Sequence, residues 1–202
     1  GKSRGSLPNA GGTYCLLTEE DQLISGPQNQ KEKDQVLRVA DGTRRSHLLT
    51  FRGTNRMLVN KQFAYLHQGE NLTALDRVSY VDLQDEKRQL LAKQAAIAKQ
   101  LKGRKNDQTL KSQHSETGSR IQMLTTSLPK CFKWKIPCGH PIGFAMGGNT
   151  LYVGGDGIVM AFNASNGKKQ WSAKVDGKAY GLAISNGRLL VSTDKGHIHC
   201  FQ

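Results

Sequence analysis

Gly143-Phe-Ala-Met-Gly-Gly-Asn-Thr-Leu-Tyr-Val-Gly-Gly-Asp156 aligns without a gap on Gly181-Leu-Ala-Ile-Ser-Asn-Gly-Arg-Leu-Leu-Val-Ser-Thr-Asp194, 38 residues further along the chain. After one inserted residue the match continues, with Ile158-Val-Met-Ala-Phe162 on His197-Ile-His-Cys-Phe201. Each copy reads as three short β-branched or aromatic runs separated by turns. Asn149 and Asn186-Gly187 suit the first turn, and Asp156-Gly157 and Asp194-Lys-Gly196 the second, because Asn, Asp and Gly accept positive φ. A self-similar unit of this length, built from strands, cannot bury its own apolar faces and must stack on its neighbours.

Working outward, an earlier copy stands 87 residues upstream. Leu58-Val59 matches Ala145-Met146, Ala64-Tyr65-Leu66 matches Leu151-Tyr152-Val153, and Leu72-Thr-Ala-Leu-Asp76 matches Val159-Met-Ala-Phe-Asn163. A looser copy begins at Tyr14-Cys-Leu-Leu17 and runs through Gln22-Leu-Ile-Ser-Gly26 to Val36-Leu-Arg-Val-Ala-Asp41, with a polar loop at residues 27–35. Fourth strands are expected at His47–Phe51, Lys130–Ile136 and Lys169–Val175. The last copy stops before a fourth strand, and closure of a ring would draw that strand from the N-terminal side. Four-stranded units of roughly 40 residues are the mark of a β-propeller.

The 87-residue offset is one repeat plus an insertion. From Asp85 to about Lys105 the chain is rich in Ala, Leu, Lys and Gln, and Leu83, Leu90, Ile97 and Leu101 recur at helical spacing. Residues 103–107 read as a turn. A second, less regular helix places Leu110, Ile121, Leu124 and Leu128 on one side and stops at Pro129, with the polar stretch Ser115–Ser119 expected to be disordered. The division expected is therefore residues 1–84 as blades, 85–128 as a helical hairpin and 129–202 as blades.

Charge follows the same division. Residues 85–138 carry 12 basic and 4 acidic side chains, a balance of +8 out of +13 for the whole chain. The flanks are nearly balanced, as on an ordinary soluble surface. Lys99, Lys102, Arg104 and Lys105 cluster at the expected helix turn and are the candidate partner-binding residues. A basic patch attracts an acidic protein, an anionic membrane or nucleic acid. Nucleic acid ranks last, because no aromatics interleave with these charges. No apolar run is long enough for a membrane span.

Tyr152-Val-Gly-Gly-Asp-Gly157, Val159-Met-Ala-Phe-Asn163 and Gly167-Lys-Lys-Gln-Trp171 together resemble the blade consensus of the PQQ-like, quinoprotein-type β-propeller repeats. The resemblance covers residues 139–202 well, 54–78 moderately and 11–53 weakly. It implies an all-β propeller whose Trp residues dock one blade on the next: Trp171 and Trp134 match that position, with Phe51 as a substitute in the first copy. It also implies a ring of seven or eight blades, of which these residues would be about four. The family's alcohol-oxidising members carry a vicinal Cys pair and acidic calcium ligands. Cys15, Cys131, Cys138 and Cys200 are all separated here, so no cofactor, metal or catalytic residue is expected in this chain.

Other motifs are weaker. His197 and His199 share one face of a strand but stand in ordinary packing positions of the repeat, and two donors are too few for a metal site. Cys131 and Cys138 lack zinc or redox spacing. Cys200 takes the place of Ala161, as a small buried thiol would. Gly154-Gly-Asp-Gly157 lacks the Lys-Ser/Thr of a phosphate loop and reads as a hairpin turn. The favoured function is a non-catalytic binding or scaffold propeller of the bacterial envelope or periplasm, with a protein partner, the remaining blades and a basic hairpin as docking arm. The alternative is part of a redox enzyme whose cofactor site lies elsewhere.

Overall fold

The computed structural model describes residues 6–7, 10–12, 14–27, 36–140 and 142–202. Most of the loop expected at residues 27–35 lies outside the described residues. Two compact units are present, one built from the chain up to Leu75 and from Lys133 onward, the other from Asp76–Phe132.

The first unit is a series of antiparallel blades. β1 (Tyr14–Leu17), β2 (Gln22–Gly26), β3 (Val36–Asp41) and β4 (Ser46–Arg52) form the first, in that order. β5 (Thr54–Val59), β6 (Phe63–Gln68), β7 (Asn71–Asp76) and β8 (Phe132–Pro137) form the second. β9 (Gly143–Gly147), β10 (Thr150–Gly154), β11 (Asp156–Asn163) and the start of β12 (Lys169–Ser185) form the third. The rest of β12 turns into the next blade, where residues 179–185 pair with β13 (Arg188–Thr193), followed by β14 (Ile198–Phe201). One strand of 17 residues thus serves as the outer strand of one blade and the inner strand of the next. β14 ends that order, and β1–β4 form a sheet of their own. Among the described residues, no N-terminal strand completes the last blade.

Turn chemistry explains the hairpins. Asn186 and Gly187 have φ of 49° and 72°, the pair of positive values that a two-residue hairpin turn requires. Gly157 differs from expectation. It lies within β11 at φ 71°, at a break in register between Asp156 and Ile158, so it is a bulge and not a turn residue.

Side chains alternate between the two faces of each blade, and the third blade packs on a neighbour through both of its faces. Leu151, Val153, Met160 and Phe162 of the third blade pack on Tyr65, Leu72 and Ala74 of the second. On its other face, Val159 packs with Leu189 and Val191 of the fourth. The inner strands approach closely: a Cβ on Gly143 of β9 would stand 2.7 Å from the Ala179 carbonyl oxygen of β12.

The second unit is a pair of helices, α1 (Arg77–Gly103) and α2 (Gln108–Ser127), followed by a short 3-10 turn at Leu128–Cys131. They run antiparallel: the Arg120 guanidinium grips the Glu86 carboxylate at 2.7 and 2.9 Å, and the Gln94 amide reaches the space where a Cβ on Gly118 would stand. Ile97 and Leu124 are buried between polar flanks. Ser115–Ser119, expected to be disordered, lies in the middle of α2. α1 also begins eight residues earlier than Asp85, at Arg77. Asp76 caps it by accepting from the Ser79 N–H at 3.2 Å. In sequence the pair occupies the link between the third and fourth strands of the second blade. In the first blade that link is the four residues 42–45.

Candidate functional site

The blade-docking aromatics divide. Trp171 lies in β12 opposite Ala161. Its ring centroid is 6.0 Å from Tyr152 of its own blade and 5.7 Å from Phe201 of the next. Trp134 in β8 packs 6.2 Å from Tyr65, and its indole N–H donates to the Ala164 carbonyl of the third blade at 3.0 Å. Both touch consecutive blades while staying half-buried. Phe51 is buried, but it stands opposite Leu37. The register places Leu49 opposite Val39, as Trp171 stands opposite Ala161, with the same bulge one residue further in both blades. Leu49, and not Phe51, therefore holds the Trp position in the first blade.

The second and third blades enclose a cleft of about 490 Å³. Met160, Phe162 and Ile136 give it an apolar wall, and Glu70, His140 and Lys169 supply polar groups. Cys138 also lines it. Burial pushes its thiol pKa up, which a hydrogen bond from the His140 backbone partly offsets. A thiol held protonated in this way is a poor nucleophile and a poor metal ligand. Its backbone anchors the cleft: the Cys138 N–H donates to the Glu70 carbonyl at 2.8 Å, and its carbonyl accepts from His67 Nε2 at 2.7 Å.

His67 is a residue that the sequence reading passed over. Only 1% of it is exposed, and its Nδ1 is buried without a partner. The contact to a carbonyl requires a proton on Nε2, so the ring is the neutral Nε2–H tautomer. Burial chiefly lowers its pKa, the Cys138 hydrogen bond opposes this, and the nearby His140 and Arg56 charges add to the lowering. A signal was present in sequence: at the 87-residue offset His67 replaces Gly154.

A pH dependence follows. Below the ordinary histidine value of 6.5 the unfolded chain takes up a proton that the folded site refuses. The stabilisation is complete above that value and is lost as pH falls toward the folded pKa, by up to about 1.4 kcal/mol per pH unit. His67→Gln keeps an N–H donor and does not titrate. Urea midpoints measured across the acid range should fall more gently in that variant. Equal slopes would contradict the assignment.

The other candidates are placed as follows. His199 Nε2 accepts from the Asp176 N–H at 3.1 Å, and His197 Nδ1 lies 3.2 Å from the Asp176 carboxylate. Lys195 bonds the same carboxylate at 2.7 Å and is the main cause of its lowered pKa, with the two histidines adding to it. The two histidines thus belong to a surface network on Asp176. Among the described residues, no group of three donors is placed to hold a metal. All four cysteines are free. Cys200 is exposed, against the expectation of a buried thiol, because among the described residues no blade face covers it as one covers Ala161 in the third blade.

Lys99, Lys102, Arg104 and Lys105 are all exposed around the α1–α2 turn. None of the four makes an ion pair among the described residues, whereas Glu86 and Asp85 at the other end of α1 are paired with Arg120 and Arg88. The helix pair therefore presents uncompensated positive charge at one end. No described helix is long and apolar enough to cross a membrane.

Comparison with known proteins gives the context. A family model described as outer membrane protein assembly factor BamB matches residues 106–202. The crystal structure of BamB from Moraxella catarrhalis superposes with a TM-score of 0.54 at 12% identity, covering 93% of this chain and 42% of that one. The computationally designed Ika4 protein also gives 0.54, at 9% identity, over 100% of this chain and 98% of its own. BBS1N, crystallised in complex with ARL6DN, gives 0.51 at 9% identity over 93% of this chain and 49% of its own. At these identities the likeness is one of fold. The chain spans less than half the length of the BamB structure that it matches. No curated protein sequence matches it.

Proposed function

We propose, on the premise that this chain is a PQQ-like β-propeller, that it is a non-catalytic binding or scaffold module of the cell envelope, with the helix pair as its docking arm. The observation that carries the arm is the unpaired cluster of Lys99, Lys102, Arg104 and Lys105 at the helix turn. Solvated charges with no internal partner add little to stability, and they remain free to meet an acidic surface. The two solved propellers named above support a binding role in kind, one described in its complex with ARL6DN and the other as BamB. The family model's description, an outer membrane assembly factor, supports the envelope as the compartment.

The reading predicts steep salt sensitivity, because exposed charges are screened beyond about 8 Å at physiological ionic strength and about 3 Å at 1 M. Reversing all four residues to Glu should abolish partner capture from a bacterial envelope extract. Stability should change by no more than about 0.5 kcal/mol per site. Identical captured sets from native and reversed chains would reject the docking arm. Quinone- and calcium-dependent turnover of an alcohol by a longer form of the protein would reject the non-catalytic reading.

A further inference from the structure

The repeat lets one blade junction be compared with the next. Trp134 and Trp171 take the same place in the second and third blades, and Cys138 and Val175 follow them at equal spacing, each buried in a core. Gly139 therefore stands where Asp176 does. On the facing blade Met160 stands where His199 does.

At the junction of the third and fourth blades these places are tied together. The Asp176 N–H donates to His199 Nε2 at 3.1 Å, and the Asp176 carboxylate holds Lys195 at 2.7 Å and His197 at 3.2 Å. At the junction of the second and third blades none of these bonds can form. Met160 offers a thioether, which is a weak acceptor. Gly139 has no side chain, and its N–H makes no hydrogen bond among the described residues. The cleft of about 490 Å³ opens at this place, lined by both residues.

Two more groups on the cleft are unused. Glu70 and Lys169 are exposed, and they make no ion pair with each other or with any other described residue. The apolar wall is Ile136, Met160 and Phe162. A ligand that satisfies the cleft brings an acceptor to the Gly139 N–H, a cation to Glu70, an anion to Lys169 and an apolar group to the wall.

We propose that the cleft binds an extended peptide segment of a partner protein, in which an apolar side chain lies between a basic and an acidic residue. The peptide's own carbonyl is the acceptor for Gly139. The volume falls in the range of ligand sites, about 300–1,000 Å³, and is about three times a cavity that holds one benzene ring. A single amino acid fits less well. Its ammonium and carboxylate share one carbon atom, so two groups that held both would also reach each other, and Glu70 and Lys169 do not. The proposal rests on the reading of the chain as a binding module and is independent of the helix pair.

Calorimetric titration of the chain with two blocked pentapeptides, acetyl-Lys-Ala-Phe-Ala-Glu-amide and acetyl-Glu-Ala-Phe-Ala-Lys-amide, tests it. One order should bind about fivefold more tightly than the other. Replacing its Phe with Ser should weaken it by at least about tenfold. The double variant Glu70→Lys with Lys169→Glu, altered only at exposed side chains, should keep the native circular dichroism and prefer the other order. A folded Met160→His chain regains the acceptor of the fourth blade and should bind the favoured peptide about fivefold more weakly. The chain with residues 99, 102, 104 and 105 reversed to Glu should bind it as the native chain does. No binding of either peptide at millimolar concentration, an order preference that survives the charge swap, or free phenylalanine bound as tightly as the pentapeptide would overturn the proposal. Capture of envelope partners by a chain that binds neither peptide would overturn the cleft alone and leave the binding-module reading standing.

Discussion

Leu151→Ala should cost about 3–5 kcal/mol, the upper part of the range for a buried leucine that leaves a cavity. Leu151 is 0% exposed. It sits between Met146 and Phe162 in its own sheet and packs with Tyr65, Leu72 and Ala74 of the second blade. Backbone pairing on both sides fixes β10, so the neighbours have little freedom to collapse into the space. The loss also falls on a contact between blades, which carries the cohesion of a stacked repeat. Urea unfolding should show a lower midpoint with an unchanged slope. Leu91→Ala on α1, a side chain 47% exposed, serves as the control and should change stability by no more than about 0.5 kcal/mol. Equal effects at the two sites would mean that the interface between the second and third blades does not hold the fold together.

The blade strands were legible because their signals are local. Alternation, turn residues and a gapless repeat lie within a few residues of one another, and tertiary packing agrees with them. The start of α1 was not. Val78-Ser79-Tyr80-Val81 has the β-branched and aromatic character of a strand, and the Asp76 cap decides in favour of helix. Ser115–Ser119 misled in the opposite way, since its polarity reads as loop. Packing against α1 overrides that: Thr117 is buried, its hydroxyl donates to the Gln113 carbonyl, and Gly118 lets the Gln94 side chain approach. Phe51 is the aromatic of β4, whereas the bulge in that strand gives the docking position to Leu49.

The site was legible only in part. The charge cluster at residues 99–105 is visible as composition, and its exposure follows from the helix turn. The cleft is not visible, because Glu70 and Cys138 meet across an intervening helix pair and only the β7–β8 pairing brings them together. The burial of His67 has the same origin, since its carbonyl partner lies 71 residues away. The exposure of Cys200 depends on a neighbour that a repeat position alone does not specify.

The central claim is that the described blades fold without the helix pair. Other blades join their third and fourth strands through short turns, and the second unit is internally paired by Arg120–Glu86 and by Ile97 and Leu124. The most direct measurement is far-ultraviolet circular dichroism, with a thermal scan, of a chain lacking residues 77–131. In that chain Asp76 would be joined to Phe132 through Gly-Thr-Arg-Arg, the sequence of the first blade's turn at residues 42–45. The account predicts loss of the helical minimum, with the β-sheet signal and one cooperative transition kept. Loss of the sheet signal together with the helical one would contradict it, because the helices would then belong to the core that holds the blades together.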